Sequence, residues 1–245
     1  MINKNILLTG GTSGIGFETA KKLVSAGANV IVVSRNEEKL KKTRDLLGEK
    51  ISTYKYDLSD VQNICGLIDS VYRNYGVING FVHCAGFSDR RRFKDLSFDV
   101  IDSVMKINFY SFTEILRCLS IKKQKSTELR TVCISSHASS SNEKYLLAYA
   151  ASKSSLECAV RILANELRSK NITVTCIRPA FVDTPFISSM NSLYEDFGSY
   201  LKQSGYQPCG LIPPETVSSM IFNMLLPDAI FYSGACIDIP AGAIN

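Results

Sequence analysis

Continuous apolar runs alternate with amphipathic segments along the whole chain. Seven strands are predicted, at residues 4–9, 29–34, 52–56, 80–84, 130–135, 172–178 and 235–239. Helices are predicted between them, at residues 14–25, 36–47, 59–75, 97–123, 149–169 and 214–226. Uninterrupted Val/Ile/Leu runs are typical of strands that are buried on both faces. The alternating order therefore predicts a doubly wound α/β fold, a parallel sheet with helices on both faces.

One segment fits neither the helical nor the strand period. Residues Phe181–Gly210 include Pro185, Gly198, Gly205 and Pro208, and they follow the end of a predicted strand. Open α/β sheets bind ligands at the carboxyl ends of their strands, so we predict a substrate lid at about residues 184–210. The apolar spacing within it also suits a short amphipathic helix packed on the core. With no repeat or linker elsewhere, residues 1–245 are predicted to form a single Rossmann-type domain.

Composition and charge narrow the class of protein. The 245 residues are 45% hydrophobic and 21% charged, as in ordinary globular proteins. The net charge of +5 is spread among acidic residues, which argues against nucleic-acid binding. There is neither a signal-peptide pattern nor an apolar run of the ~20 residues that span a membrane. We expect a cytoplasmic protein without membrane association.

The eight cysteines are predicted to be reduced thiols. They show no CxxC pair and no His/Cys spacing typical of metal ligands, so no metal site is predicted. Half of them lie in or beside apolar, strand-like runs: Cys84, Cys133, Cys176 and Cys236. Buried thiols in a cytosolic enzyme are favoured over a disulfide framework.

A glycine-rich loop joins the first predicted strand to the first helix. It reads Thr9-Gly10-Gly11-Thr12-Ser13-Gly14-Ile15-Gly16. Glycines permit a tight turn and close approach of the backbone to a pyrophosphate, and a helix N-terminus offers amides to the anion. The context predicts a dinucleotide site, although glycine loops also serve as plain turns.

The end of the second strand bears on which dinucleotide binds. It reads Ser34-Arg35-Asn36, with no acidic residue for a ribose 2′-hydroxyl. The forked donors of Arg35 can pair with a 2′-phosphate, and Ser34 can add a hydrogen bond. NADP(H) is therefore the predicted cofactor; the alternative is that Arg35 is a solvated residue before a helix.

Tyr149 and Lys153 are one helical turn apart on the same face, and Ser136 ends a predicted strand 13 residues before Tyr149. A phenol has a pKa near ~10, which is high for an acid/base at neutral pH. Lowering it by ~3 units requires about 4 kcal/mol. One cation about 4 Å away, at an effective dielectric of ~20, supplies roughly that amount. Lys153 can be that cation.

These motifs resemble those of the classical short-chain dehydrogenase/reductases along essentially the whole chain. The spacing TGxxxGxG, the YxxxK pair, Ser136 and a mid-helix Asn108 match the family pattern. The resemblance implies a catalytic tetrad of Asn108, Ser136, Tyr149 and Lys153. In it Tyr149 transfers the proton, Lys153 also holds the nicotinamide ribose, Ser136 orients the substrate oxygen, and Asn108 holds a relay water.

The resemblance also implies cofactor contacts beyond the glycine loop. It assigns Asp57 and the Leu58 backbone to the adenine, and small residues to the ribose. The full predicted set is Gly10, Thr12, Ser13, Gly14, Ile15, Gly16, Ser34, Arg35, Asp57, Leu58, Ala85, Gly86, Tyr149, Lys153, Pro179, Val182 and Thr184. The chain departs from the family pattern at His83-Cys84, where two asparagines are usual, and at Ala180, where glycine is usual.

The predicted activity is NADP(H)-dependent reduction of a carbonyl to an alcohol. Length and pattern are similar to bacterial 3-oxoacyl-[acyl-carrier-protein] reductases, but a small-ketone or sugar-type substrate is an alternative. A non-catalytic NADP-binding regulatory protein is the alternative from another class. The basic run Arg90–Arg92 with Lys94 is either a solvated face or a docking site for an acidic partner such as an acyl carrier protein. The resemblance implies a homo-oligomer, a tetramer or dimer, joined through the two long helices and the last strand.

Overall fold

The computed structural model describes residues 1–123, 126–187 and 196–243. Seven parallel strands form one sheet in the order β3-β2-β1-β4-β5-β6-β7. Their bounds are β1 (Asn5–Thr9), β2 (Asn29–Ser34), β3 (Ile51–Lys55), β4 (Gly80–His83), β5 (Leu129–Ile134), β6 (Ile172–Pro179) and β7 (Cys236–Ile239). The predicted doubly wound parallel sheet is confirmed.

Helices cover both faces of the sheet. They are α1 (Gly14–Ser25), α2 (Glu37–Leu47), α3 (Ile64–Tyr75), α4 (Phe98–Met105), α5 (Ser111–Lys122), α6 (Leu147–Glu166), α7 (Phe197–Gln203) and α8 (Pro214–Asn223). In β1, Leu7 packs with α3, α5 and α6, whereas Ile6 and Leu8 pack with α1, α2 and α8. Successive side chains point to opposite faces of a strand, so each strand must be apolar throughout.

Two predicted helices differ from those in the structure. The predicted helix over 59–75 begins as α3 at Ile64, after a single 3-10 turn. The Ser59 hydroxyl donates to Asp57 and does not cap a helix. The predicted helix over 97–123 is divided into α4 and α5 by a π-helical turn, Lys106–Tyr110. A π turn is often found at functional sites, and this one contains Asn108.

The prediction of reduced thiols is wrong for one pair of cysteines. Cys65 of α3 and Cys118 of α5 form a disulfide, with their Cα atoms 5.6 Å apart. The two positions are 53 residues apart in sequence and meet only because α3 packs against α5. The four cysteines in or beside strands are free thiols: Cys84, Cys133, Cys176 and Cys236.

The segment after β6 is partly helical. Phe197 and Leu201 of α7 are buried and pack with Ile187, Phe181 and Leu211 in a small apolar cluster. The described part of the segment thus contains the short packed helix that its spacing allowed. Met190, Leu193 and Tyr194 of the predicted lid lie outside the described residues.

The strand order reverses between β1 and β4. The chain runs outward from β1 to β3, then returns so that β4 pairs with the other side of β1. Doubly wound sheets bind ligands in the crevice at this point, beyond the carboxyl ends of the strands. Among the helices in the described part of the chain, none has both the length and the apolar character that crossing a bilayer requires.

Candidate active site

A cavity of about 730 Å³ lies in this crevice. It is lined by residues that follow β1, β4, β5 and β6, and by the first turns of α6. Most of the predicted site residues line it: Gly10, Thr12, Ser13, Gly14, Ile15, Gly16, Ala85, Gly86, Ser136, Tyr149, Lys153, Pro179, Val182 and Thr184. The structure therefore brings the predicted loop and the predicted catalytic side chains into one space.

The glycine loop is shaped by close backbone contacts. Gly10 has a φ of +71°, and a Cβ there would lie 2.7 Å from the Ala85 amide nitrogen. A Cβ on Gly16 would lie 2.2 Å from the Gly10 carbonyl oxygen. The Ser13 side chain makes no capping hydrogen bond to α1, so the first amides of this helix are available to an anion.

Four predicted cofactor contacts lie outside the cavity lining, at the ends of β2 and β3. Arg35 and Asp57 are exposed there. Hydrogen bonds from Ser59 and the charge of Arg35 lower the pKa of Asp57. Leu58 is buried in the core, and Ser34 accepts a hydrogen bond from the Asn36 amide. Arg35 thus has the carboxylate of Asp57, which follows β3, near it. The end of β2, where an NAD site usually carries a carboxylate, has none.

Tyr149, Lys153 and Ser136 meet in the cavity. The Ser136 hydroxyl hydrogen-bonds the Tyr149 phenol. The Lys153 Nζ lies 5.6 Å from the Tyr149 ring centroid and donates to the Ile134 carbonyl oxygen at 2.8 Å. Burial raises the pKa of Tyr149 to about 12, and only the Ser136 hydrogen bond opposes it. The predicted lowering of the Tyr149 pKa by Lys153 is therefore not found in this structure, because the effect of burial is larger.

Asn108 lies behind the cavity wall, fully buried in the π turn. Its Oδ1 accepts from the Phe87 amide at 3.0 Å, and its Nδ2 donates to the Phe87 carbonyl at 3.0 Å and to the Ser152 hydroxyl at 2.9 Å. A Cβ on Gly86 would lie 3.2 Å from the Asn108 Oδ1 and 3.3 Å from the Lys153 Nζ. The side chains of Asn108 and Lys153 thus both lie close to the backbone of Gly86, which follows β4.

Comparison with known proteins identifies the chain. Residues 4–194 match the short chain dehydrogenase family. The chain belongs to this family. It is therefore an oxidoreductase, of a family that uses NAD(P).

Three relatives illustrate the similarity of this short-chain dehydrogenase to known proteins. A "Dehydrogenase/reductase SDR family protein 7-like" from Anopheles gambiae is 29% identical, covering 89% of this chain and 71% of the relative. The 3-oxoacyl-[acyl-carrier-protein] reductase FabG of Chlamydia muridarum is 30% identical, covering 78% and 79%. The solved structure of ElxO with NADP bound superposes with a TM-score of 0.90 at 23% identity, covering 98% of both chains. That last likeness concerns the fold.

His83, which stands where the family pattern has asparagine, makes a hydrogen bond between two neighbouring strands. Its Nδ1 lies 2.9 Å from the Thr9 hydroxyl, and Thr9 also accepts from the Ala85 amide at 3.4 Å. The histidine thus ties β4 to β1 beneath the glycine loop. Burial and the charge of Lys153 lower the pKa of His83 to about 3, so the imidazole is neutral.

The turn after β6 accommodates Ala180 in this short-chain dehydrogenase. Its φ is not positive, so this position does not require glycine. The next residue is held by Gln207, whose Oε1 accepts from the Phe181 amide and whose Nε2 donates to the Phe181 carbonyl, both at 2.9 Å. Gln207 is fully buried and is a residue that we did not single out, because its partner is 26 residues away.

Sequence reasoning also missed how three cavity residues act together. Arg90, Glu143 and Tyr206 also line the cavity. The sequence shows Arg90 only as part of a basic run, and no local pattern points to Glu143. In the structure the three arginines of that run are all paired, Arg90 with Glu143, Arg91 with Asp89 and Arg92 with Asp95.

Proposed function

We propose that this oxidoreductase reduces a carbonyl group with NADPH, and that Tyr149 donates the proton. The observation that carries the proposal is the meeting of Ser136, Tyr149 and Lys153 in the cavity that the glycine loop also lines. A nucleotide-binding fold without chemistry has no need of a phenol, a hydroxyl and a buried ammonium at one point. We therefore favour catalysis over a purely regulatory role.

The glycine cradle fits a dinucleotide. Residues 10–16 and the first amides of α1 would hold the pyrophosphate, since side chains on Gly10 or Gly16 would collide with backbone atoms. Arg35 and Ser34 would hold a 2′-phosphate, while Asp57, Leu58, Ala85 and Gly86 would contact adenosine and ribose. Pro179, Val182 and Thr184 would contact the nicotinamide half. When bound, NADPH supplies a hydride to the carbonyl carbon.

The side chains of this chain would manage the proton. With a pKa of about 12, the Tyr149 phenol is protonated at neutral pH and can donate to the oxygen on which negative charge develops. The Ser136 hydroxyl would donate to the same oxygen and orient it. The nearby Lys153 ammonium would stabilise the phenolate left by proton transfer.

Asn108 is proposed to hold the backbone that positions this site. Its Nδ2 donates to Phe87 and Ser152, and its Oδ1 accepts from the Phe87 amide. An amide oxygen can accept a second hydrogen bond, and the Asn108 Oδ1 lies on the side of Gly86 that also faces Lys153. This second acceptor position is the proposed site of the relay water. Asn108 thus links the π turn, the segment after β4 and α6.

For the substrate, the named relatives support a 3-oxoacyl thioester, and a small ketone or sugar-type carbonyl remains the alternative. The ion pairs of Arg90, Arg91 and Arg92 neutralise much of the run that we considered for docking an acyl carrier protein. The described parts of the proposed substrate lid are residues 184–187 and 196–210.

A homotetramer completes the proposal. The cytoplasmic location stays a prediction against which the Cys65–Cys118 disulfide counts, because structural disulfides are rare in that compartment. Large apolar side chains are exposed on both long helices, including Ile121 of α5 and Ile162 of α6. Phe231, directly before the last strand, is 86% exposed. Large exposed apolar side chains favour self-association, which sedimentation of the purified protein measures.

The test is NADPH oxidation across a panel of 3-oxoacyl thioesters, small ketones and sugar-type carbonyls, with Tyr149→Phe as the critical variant. We expect turnover of at least one class, and its loss in the variant with NADPH affinity nearly unchanged. Because the chain has no Trp, the fluorescence of bound NADPH reports the affinity with little background. Tight NADPH binding without turnover on any substrate would favour the regulatory alternative. Loss of binding in Tyr149→Phe would mean that the phenol is structural.

A further inference from the structure

Three separate segments besides the glycine loop line the cavity. They are residues 87–90 after β4, residues 136–146 after β5, and described residues after β6, among them Phe181 and Tyr206. Each follows a different strand, and the sheet hydrogen bonds end before these segments begin. Side-chain and loop contacts must therefore hold them together.

Glu143 contacts the other two segments, with one carboxylate oxygen for each. Its Oε2 accepts from an Arg90 guanidinium nitrogen at 2.9 Å. Its Oε1 accepts from the Tyr206 hydroxyl at 2.8 Å. These partners are 53 and 63 residues away in sequence. All three side chains line the cavity.

The backbone beside Glu143 is also held. Tyr145 has a φ of +74°, which is unfavourable for a bulky residue. Its carbonyl oxygen accepts from the Arg91 amide at 3.1 Å. This bond lies beside the Glu143–Arg90 ion pair, since Arg91 follows Arg90 and Tyr145 is two residues after Glu143. The strained turn is therefore stabilised where Glu143 makes its contacts.

The charges favour this arrangement. Burial and the hydrogen bond to Glu143 raise the pKa of Tyr206 to about 12, so the phenol remains a donor at neutral pH. The side chains of Arg90 and Glu143 are 39% and 25% exposed, and ion pairs with such exposure contribute little. These contacts can therefore break and re-form. Segments that admit a substrate must be able to separate in this way.

We infer that Glu143 is a positioning residue that sets substrate affinity by joining these three segments at the wall of the cavity. The inference rests on the proposed carbonyl reduction and adds a specificity-determining residue to it. Glu143 makes no hydrogen bond to Ser136, Tyr149 or Lys153 within the described residues. Its loss should therefore raise KM and leave kcat and NADPH affinity unchanged.

The experiment compares Glu143→Ala, Glu143→Gln and Tyr206→Phe with wild type. We expect Glu143→Ala to raise KM about tenfold, as two partly exposed contacts allow. Glu143→Gln, whose amide oxygen can still accept from Tyr206, should raise it less. Adding Tyr206→Phe to Glu143→Ala should change little further, because both remove the same contact. The matched control is Asp102→Asn on α4, since the Asp102–Lys106 pair has side-chain exposures of 25% and 41% and lies outside the cavity.

A second readout does not depend on turnover. Hydrogen exchange followed by mass spectrometry should be faster at residues 137–146 and 198–210 in Glu143→Ala than in wild type, and unchanged in Asp102→Asn. Unchanged exchange in Glu143→Ala would overturn the inference, as would a fall in kcat at constant KM. Faster exchange in a protein that reduces no carbonyl would support the role of Glu143 and count only against the proposed function.

Discussion

The Lys153 ammonium group lies 5.6 Å from the centroid of the Tyr149 ring, one turn away on α6. Burial acts on both groups in the direction of the neutral form. It lowers the pKa of Lys153 and raises that of Tyr149 to about 12. The carbonyl of Ile134, which accepts from Lys153 at 2.8 Å, holds the ammonium in place beside the phenol.

Replacing this lysine should affect both chemistry and binding. We expect Lys153→Met to lower kcat by about 10²–10⁴-fold, the usual contribution of proton-transfer groups, and also to weaken NADPH binding. Tyr149→Phe should lower kcat alone. Steady-state kinetics and NADPH fluorescence titrations measure the two effects. Lys42→Met, at an exposed position of α2, is the control; a Lys153→Met enzyme as active as this control would contradict the proposed role.

Arg35 should determine the preference between the two nicotinamide cofactors. Arg35→Asp removes the proposed partner of the 2′-phosphate and puts a repulsive charge in its place. The ratio of kcat/KM for NADPH over NADH should fall about 100-fold, equal to roughly 3 kcal/mol, the size of one or two charge-assisted hydrogen bonds. Arg44→Asp, at another exposed position, should leave the ratio unchanged. If both variants keep the wild-type ratio, the phosphate lies elsewhere.

His83 should make stability depend on pH. Its pKa is lowered from 6.5 to about 3 in the folded protein, so below pH 6.5 the unfolded chain binds a proton that the folded chain does not. The contribution of His83 is complete above pH 6.5 and is lost as the pH falls. Between pH 6.5 and 5 the loss amounts to about 2 kcal/mol.

Urea unfolding at a series of pH values measures this effect. His83→Asn should flatten the dependence, and His137 should account for part of what remains, because burial lowers its pKa as well. An equally steep dependence in His83→Asn would show that the buried imidazole is not its source.

Substitution by alanine should weaken NADPH binding at Gly16 and stabilise the folded protein at Gly66. A Cβ on Gly16 meets the Gly10 carbonyl oxygen, whereas a Cβ on Gly66, within α3, has nothing within 4 Å. Gly16→Ala should raise the Kd of NADPH at least about tenfold, because the loop backbone must shift. Gly66→Ala should raise the free energy of unfolding by about 0.5–1 kcal/mol. Cofactor titration and thermal melting check the pair; wild-type NADPH affinity in Gly16→Ala would argue against the cradle.

The Cys65–Cys118 disulfide should contribute to stability. It links positions 53 residues apart, and closing such a loop in the unfolded chain is worth up to about 4 kcal/mol. Peptide mapping without reductant should recover the two cysteines in one linked fragment, and Cys65→Ser should lower the free energy of unfolding. Cys209→Ser, which removes an exposed free thiol, should not. Unlinked peptides from unreduced protein would contradict the cross-link.

Local patterns were sufficient for the fold and for bringing the glycine loop, Tyr149 and Lys153 to one cavity. Apolar runs mark strands because both faces of the sheet are covered, as Leu7 and its neighbours Ile6 and Leu8 illustrate. The glycine loop and the Tyr149–Lys153 pair depend on contacts within about one helical turn, so their spacing is visible in the chain. The roles assigned to them remain predictions.

What the sequence determined by itself was the order of the elements and the short-range motifs, because those follow from the periodicity of neighbouring residues. Only the tertiary structure decided the π turn that holds Asn108, the use of His83 in place of asparagine, the Cys65–Cys118 bond, and the contacts of Glu143 and Gln207. Each of the last four joins positions 26 to 74 residues apart. In the π turn, Asn108 hydrogen-bonds Phe87, which follows β4, and Ser152 of α6. Such contacts arise from packing between distant segments, which leaves no periodic signal along the chain.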